Sequence, residues 1–429
     1  MERHTSEGSE CAGSRPLNVA YLTMAFPSPS EPFAGSDVRA LLRTGVRVSV
    51  HSLRPRHAEA TRLIEQWELA SVEHTHNGVR SSLSGLWNLL RRPRLVPLIW
   101  RLMLQVARRP RHFVRTLVLV PRFVDILTAL ERSRPDVVHA FWGHYPAFVI
   151  TLVQHRLPGI VTSIFLGAYD LEEEYPLTKV ALAAADLTWT HARANREALQ
   201  AAGAREQTMS VAYRGIDLAQ VPLCVQKERG KIITAGRLIA SKGTELVIDA
   251  FHSVRTTHPG VTLVILGEGP ERAALEQRCR DLGLFDAVLF RGHVDHQAVL
   301  HELATSQIML LLSRKTSERL PNAVKEAMAC GCFCIVSDTP GIREAIPDRT
   351  HGVVLKTTGP EVVAMHIRRA LDDPVDLAGV GHAARQHIEN HFDAGKNMRA
   401  YVEAWERAVG RGHLMTPVPP GETTSPRRQ

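Results

Sequence analysis

Lys231-Ile-Ile-Thr-Ala235 runs directly into Gly236-Arg-Leu-Ile-Ala-Ser-Lys-Gly243, and this into Thr244-Glu-Leu-Val-Ile-Asp-Ala-Phe251. The first five residues are an apolar, β-branched run and read as a buried strand. The last stretch continues to Thr257 with apolar residues at 246, 247, 250, 251 and 254, the period of a helix with one buried face. Strand, loop and helix in this order open a βαβ unit, and such units build parallel sheets covered by helices. The expected fold class is α/β.

The same grammar extends in both directions. Downstream, strands are predicted at 261–266, 287–290, 308–312 and 332–336, alternating with helices at 271–282, 297–304 and 321–329. Upstream, strands at 17–22 and 46–52 flank a Pro-, Ser- and Gly-rich loop (27–35) and a helix over 37–44. Further strands are predicted at 136–140, 160–165 and 185–190, and Tyr213-Arg-Gly-Ile-Asp217 reads as the end of another. Two Rossmann-like domains with parallel sheets facing a central cleft result, each of ordinary domain size. Pro222 and Lys227-Glu-Arg-Gly230 mark a linker. The N-terminal domain is therefore placed at 16–225 and the C-terminal domain at 226–395. Residues 396–412 are expected to form a helix packing back on the N-terminal domain. Residues 1–15 lack the apolar core of a signal peptide, and with the Pro-rich stretch 413–429 they are expected to be disordered. In open sheets of this kind ligands bind beyond the carboxyl ends of the strands, so the cleft is the expected site.

The chain carries 52 Lys+Arg against 44 Asp+Glu, a net charge of +8 over 429 residues. Its 44% apolar and 22% charged content excludes a wholly disordered chain or a collagen-like fibre. No apolar run reaches the ~18 residues of a spanning helix, and the cytosol is the expected compartment. The six cysteines form no disulfide framework. Cys330, Cys332 and Cys334 have no histidine close by and read as small buried residues rather than metal ligands.

The positive charge is local. Residues 85–124 hold nine arginines (91, 92, 94, 101, 108, 109, 111, 115 and 122) and no acid, and the remainder is close to neutral. Trp87, Leu90, Leu98, Trp100, Leu104, Phe113 and Phe123 are interspersed, and Pro93, Pro97, Pro110 and Pro121 are expected to divide the stretch into short helices. Arginine beside aromatic and aliphatic side chains suits the surface of an anionic bilayer. The alternative is a helical insert with a solvated arginine face. No nucleic-acid motif is present, and nucleic acid is not an expected partner.

Two segments carry the chemistry. Gly236–Gly243 joins a strand end to a helix start, where free N–H groups and the positive dipole end favour a phosphate. Arg237 and Lys242 add two cations there, by a bidentate fork and a point charge. A solvated basic loop is the alternative. Ser317-Glu-Arg-Leu-Pro-Asn-Ala-Val-Lys-Glu326 holds two carboxylates, Glu318 before a helix and Glu326 within it. Carboxylates are two-oxygen acceptors for sugar hydroxyls. Pro321 suits a first helical turn, and Asn322 can satisfy free N–H groups beside it.

These segments occur in order with Leu263-Val-Ile-Leu-Gly-Glu-Gly-Pro270, Phe290-Arg-Gly-His-Val294 and Glu326-Ala-Met-Ala-Cys-Gly331. Together they resemble the retaining, nucleotide-sugar-dependent glycosyltransferases of family 4, which have the two-domain GT-B fold. Tyr21-Leu-Thr-Met-Ala-Phe-Pro27 and Ser30-Glu-Pro-Phe33 are similar to patterns in bacterial exopolysaccharide and lipopolysaccharide glycosyltransferases. The resemblance covers residues 17–410 and is stronger in the second half.

The resemblance implies roles. Arg237 and Lys242, with Gly236, neutralise the departing diphosphate, so no metal and no other cofactor is expected. Glu318 orients the donor sugar and stabilises positive charge at its anomeric carbon. Glu326 holds the ribose, the backbone of Leu320 and Asn322 touches sugar or phosphate, and Arg291, Gly292, His293 and Val294 lie against the base. Gly35 admits the donor phosphates closely. The donor is expected to be a UDP- or GDP-sugar. The acceptor is expected to be a saccharide or a lipid-linked saccharide, met at the inner face of the cytoplasmic membrane through 85–124.

Two positions depart from the pattern. The histidine often found three residues before the aspartate matched by Asp170 is Gly167 here, in Phe165-Leu-Gly-Ala-Tyr-Asp170. His144 and Asp170 are the acceptor-side candidates, and His139 or His144 is a candidate to fill the missing histidine's place. Arg319 stands where a glycine is common. A nucleotide-sugar epimerase on the same fold, and a membrane-binding protein with a degenerate sugar site, are the alternative functions.

Overall fold

The computed structural model describes residues 15–29, 31–173, 175–222, 226–315 and 318–415. The expectations for 1–14 and 416–429 lie outside the described residues. The N-terminal sheet holds β1 (Asn18–Thr23), β2 (Arg47–Ser52), β3 (Glu73–Thr75), β4 (Val137–Phe141), β5 (Val161–Phe165), β6 (Leu187–Thr190) and β7 (Met209–Val211). Their order is β3-β2-β1-β4-β5-β6-β7, and every neighbouring pair is parallel. The C-terminal sheet holds β8 (Lys231–Ala235), β9 (Thr262–Leu266), β10 (Val288–Gly292), β11 (Ile308–Leu311), β12 (Phe333–Ser337) and β13 (Val353–Leu355), in the order β10-β9-β8-β11-β12-β13. Central strands such as β4, β8 and β12 are buried along their whole length. Helices cover both faces, so a continuous apolar run is what such a strand needs. Both sheets are doubly wound and Rossmann-like, the two halves of the GT-B architecture.

Each sheet reverses its winding once, between β1 and β4 and between β8 and β11. At such a point the loops leaving two adjacent strands diverge and open a crevice. Gly236–Gly243 leaves β8, and the chain leaving β11 leads to Glu318 and to the helix Asn322–Ala329. The two chemistry-bearing segments are thus neighbours because of the strand order. Gly243 closes the first loop with φ +70°, and a Cβ there would lie 2.2 Å from the Leu312 carbonyl oxygen of the other loop. Only glycine fits this conformation and this approach.

The chain crosses between domains twice. Ile216 and Val221 are already buried in the C-terminal core, so the first crossing lies at 213–216, earlier than the composition shift suggested. Tyr213–Asp217 is that crossing and not the end of a strand, since β7 stops at Val211. The charged stretch misled because Lys227 is tied inside the C-terminal domain, its Nζ donating to the carbonyls of Cys330 (2.8 Å) and Leu303 (3.3 Å). The return crossing runs alongside the first. The Ile216 amide donates to Phe392 O (2.9 Å), and the Ala394 amide donates to Ile216 O (3.0 Å). A Cβ on Gly215 would lie 2.3 Å from the Ala394 nitrogen. The helix Ala394–Met415 then packs into the N-terminal core, where Tyr401 stacks on Trp189 (3.9 Å) and Trp405 Nε1 donates to Ser163 Oγ (3.0 Å).

The arginine-rich stretch forms the helices Val79–Arg91, Val96–Val106 and Pro110–Ser133. Pro93, Pro97 and Pro110 sit at breaks or helix starts, but Pro121 lies inside the third helix instead of ending it. The buried face with Val120, Phe123, Val124 and Leu127 holds that helix together across the missing N–H. Arg122 is also a correction to a solvated arginine face. It is 2% exposed and bonds Ser52 O, Thr75 Oγ1, Ser81 Oγ and Asp125. Arg92 is ion-paired with Glu131. Arg91, Arg94, Arg101, Arg108, Arg109, Arg111 and Arg115 are exposed. Beside them stand Leu90 (77% exposed), Trp100 (60%), Leu104 (56%), Trp87 (55%) and Val118 (71%).

Candidate active site

A cavity of about 290 Å³ opens between the domains. The C-terminal domain lines it with Gly236, Lys242, Glu318, Arg319, Leu320 and the start of the helix Asn322–Ala329. The N-terminal side and the crossing supply Phe33, His191 and Arg214. Lys242 and Glu318 form a close ion pair, with their side chains only 20% and 13% exposed. The second Glu318 oxygen, Oε2, is buried without a partner. So are Nη2 of Arg214 and Nδ1 of His191. A buried polar atom without a partner costs roughly 1–3 kcal/mol, so three around one cavity describe a place for a polar guest. The Arg214 guanidinium lies 4.3 Å from the Phe33 ring and 4.9 Å from those of Phe141 and Phe165. This aromatic seat fixes its position and leaves its edge to the cavity.

Other residues picked out from sequence sit around this centre. Arg237 is exposed on the same loop as Lys242 and outside the lining. Glu326 lies one helical turn beyond Asn322 and accepts from His296 Nε2 at 3.1 Å. That carboxylate raises the His296 pKa above the usual histidine value. Between the two domains, Lys325 is 1% exposed and donates to Arg214 O at 2.5 Å. Burial, reinforced by Arg214, lowers its pKa to about 7. At the end of β10, Arg291 pairs with Glu302 (3.2 Å), His293 is exposed and Val294 rests on the C-terminal core. Gly292 has φ +71° and packs against Glu268. None of Arg291–Val294 lines the cavity.

The N-terminal candidates are rearranged. Gly35 lies inside the helix Pro32–Arg43, and a Cβ there would lie 2.3 Å from the Trp67 ring. Its bareness is what lets the helix pack against Trp67. Asp170 is buried and bonded through both oxygens. Its Oδ1 accepts from Gly143 N (2.9 Å) and pairs with His144 Nδ1 (3.0 Å), and its Oδ2 accepts from Gly167 N (2.9 Å). Asp170, with its side chain closed off from solvent, therefore clamps the loops after β4 and β5 together. His139 is a core residue, 2% exposed and bonded to Ser163, and burial lowers its pKa to about 3. Neither His139 nor His144 enters the lining, whereas His191 does. Sequence reasoning missed His191 and Arg214. Arg214 stood inside a stretch read as a strand end, and His191 carries no local pattern at all.

Residues 221–387 match the family model described as glycosyl transferases group 1. Over 285 residues the chain is 28% identical to the glycogen synthase of Mycobacterium tuberculosis, spanning 61% of this chain and 67% of that protein. It is 34% identical over 160 residues to the N-acetyl-alpha-D-glucosaminyl L-malate synthase of Bacillus anthracis, spanning 37% of this chain and 41% of that one. The structure of Anabaena Alr3699/HepE in complex with UDP superposes with a TM-score of 0.69 at 17% identity, over 91% of this chain and 100% of that one.

Proposed function

We propose, for a chain whose residues 221–387 match the family model of group 1 glycosyl transferases, that it moves a sugar from a nucleoside diphosphate donor to a saccharide or lipid-linked acceptor with retention of anomeric configuration. The observation that carries this reading is the Lys242–Glu318 pair that lines the cavity at the divergence of β8 and β11, with Glu318 Oε2 buried and unpartnered. The diphosphate enters beside Gly236, takes the Lys242 ammonium and meets the positive end of the helix Asn322–Ala329. Leu320 and Asn322 adjoin the same space. Arg237 swings in from solvent to add a second cation. Lys242 and Arg237 thereby supply the neutralising charge, and the reading assigns no metal. Glu318 is then released to the donor sugar, where its carboxylate opposes positive charge at the anomeric carbon. Glu326 takes the ribose hydroxyls in place of His296, and Arg291–Val294 flank the base. UDP is the first choice of nucleotide, because a fold neighbour binds it.

The acceptor side is read from the exposed apolar and arginine surface on the helices 79–91, 96–106 and 110–133. It suits the inner face of an anionic cytoplasmic membrane, where a lipid-linked saccharide in cell-surface polysaccharide assembly is met. No helix among the described residues is long and apolar enough to cross a membrane, so the contact is peripheral. Cosedimentation with phosphatidylserine vesicles tests this. Binding that survives the triple change Trp87→Ser, Leu90→Ser, Trp100→Ser removes this surface as the membrane face, and wild type that does not bind removes the membrane assignment.

For the donor, a thermal-shift screen with UDP-, GDP- and ADP-sugars identifies the nucleotide through the rise in stability on binding. Lys242→Ala and Glu326→Ala should each weaken binding of the donor so found, and unchanged affinity refutes the site. Conversion of the donor to an epimer without acceptor would replace transfer by epimerisation.

A further inference from the structure

His191 follows the last residue of β6 and closes the N-terminal side of the cavity. Its ring lies against Phe165 at the end of β5, with centroids 5.8 Å apart and planes tilted by 33°. Its Nδ1 is buried and has no hydrogen-bond partner. Burial, with Arg214, Lys325 and Arg319 nearby, holds its pKa well below the usual histidine value. The imidazole is therefore neutral, with one donor and one acceptor nitrogen, as recognition of a hydroxyl requires.

The neighbouring backbone makes room for it. Gly167 stands on the adjacent loop, its amide fixed by Asp170. A Cβ built on Gly167 would lie 3.6 Å from His191 Cε1 and 3.4 Å from the Trp142 ring. A longer side chain at 167 would grow into the volume that His191 now fills. The same cavity also holds the unpartnered Glu318 Oε2.

We propose that His191 hydrogen-bonds a hydroxyl of the transferred sugar, in the place a side chain at position 167 would otherwise take. This makes it a specificity-determining residue of the donor-sugar pocket, and the assignment rests on the donor reading above. The test is calorimetric titration of the full chain with UDP, GDP, UDP-glucose, UDP-N-acetylglucosamine and GDP-mannose. His191→Ala should weaken the sugar nucleotide that binds by about 3- to 10-fold, the range of one neutral hydrogen bond. It should leave the parent nucleoside diphosphate within twofold, which also shows that the variant is folded. Gly167→His combined with His191→Ala should recover most of the loss. Equal weakening of diphosphate and sugar nucleotide, no weakening of either, or no recovery in the double variant each overturns the proposal. Wild-type protein that binds no nucleotide overturns the donor reading instead, so the two failures are distinct.

Discussion

Replacing Lys325 by methionine should stabilise the protein at neutral pH and destabilise it at pH 10. The side chain is 1% exposed, and its ammonium has one close acceptor, the Arg214 carbonyl at 2.5 Å. In the unfolded chain the amine is charged below its ordinary pKa of 10.5, and in the folded protein only below about 7. Between those values the unfolded state binds more protons, so stability rises with pH across that window and the full penalty applies below it. At 1.36 kcal/mol per pKa unit, the penalty at pH 7 is on the order of 4 kcal/mol. Methionine fills a similar volume without the charge. It forfeits the bond to Arg214 O and leaves that carbonyl unpaired, at roughly 1–3 kcal/mol. The net expectation is a gain of about 1–3 kcal/mol at pH 7, turning into a loss of about 0–2 kcal/mol at pH 10, where little of the charge penalty remains. Denaturant titrations of wild type and Lys325→Met at pH 7, 8.5 and 10 measure this. A variant that loses as much stability at pH 7 as at pH 10 refutes the account of a buried, reluctantly charged amine.

Three further outcomes are expected. Glu318→Gln keeps the shape of the side chain and removes its charge, so initial transfer rates should fall by about 10²-fold or more with nucleotide affinity kept. Rates within threefold of wild type would separate Glu318 from the chemistry. Arg122→Met should cost about 2–4 kcal/mol in thermal denaturation, because Ser52 O, Thr75 and Asp125 lose their partner. The exposed Arg115→Met should stay within ~0.5 kcal/mol. The His296–Glu326 pair is half-exposed and small in energy, but its direction is fixed. Because the folded His296 pKa is raised, its contribution is complete below pH 6.5 and is lost as pH rises through the folded value. Melting curves from pH 5.5 to 8.5 should therefore show wild type losing ground to His296→Asn as pH rises.

The strands that carry the site were legible because a strand covered on both faces is a continuous apolar run. Lys231–Ala235 is apolar from Ile232 onward, and its assigned limits agree with β8. β3 (Glu73–Thr75) has no such run, and β13 (Val353–Leu355) is apolar but only three residues long, so both went unseen. Lys242 and Glu318 were legible because each sits in a distinctive local pattern. His191 and Arg214 were not, since what places them is the adjacency of strand ends and crossings far apart in sequence. Gly35 and Asp170 were visible as residues, but not what holds them. Trp67 and the amides of Gly143 and Gly167, which explain them, are reached only through the tertiary fold.

The paired crossings at 213–216 and 392–394 have a mechanical consequence. A single strap between two bodies leaves a ball joint, free to turn about three axes. Here two straps are stitched by the amides of Ile216 and Ala394, with Gly215 letting their backbones touch. Twisting one domain against the other would shear those bonds, while folding the domains together about the line of the straps would leave them whole. At roughly 0.5–1.5 kcal/mol each, the two bonds weigh against twisting and leave closure about the line of the straps unopposed. Arg214 stands at the start of the first strap, and its guanidinium, seated on Phe33, Phe141 and Phe165, travels with the N-terminal domain.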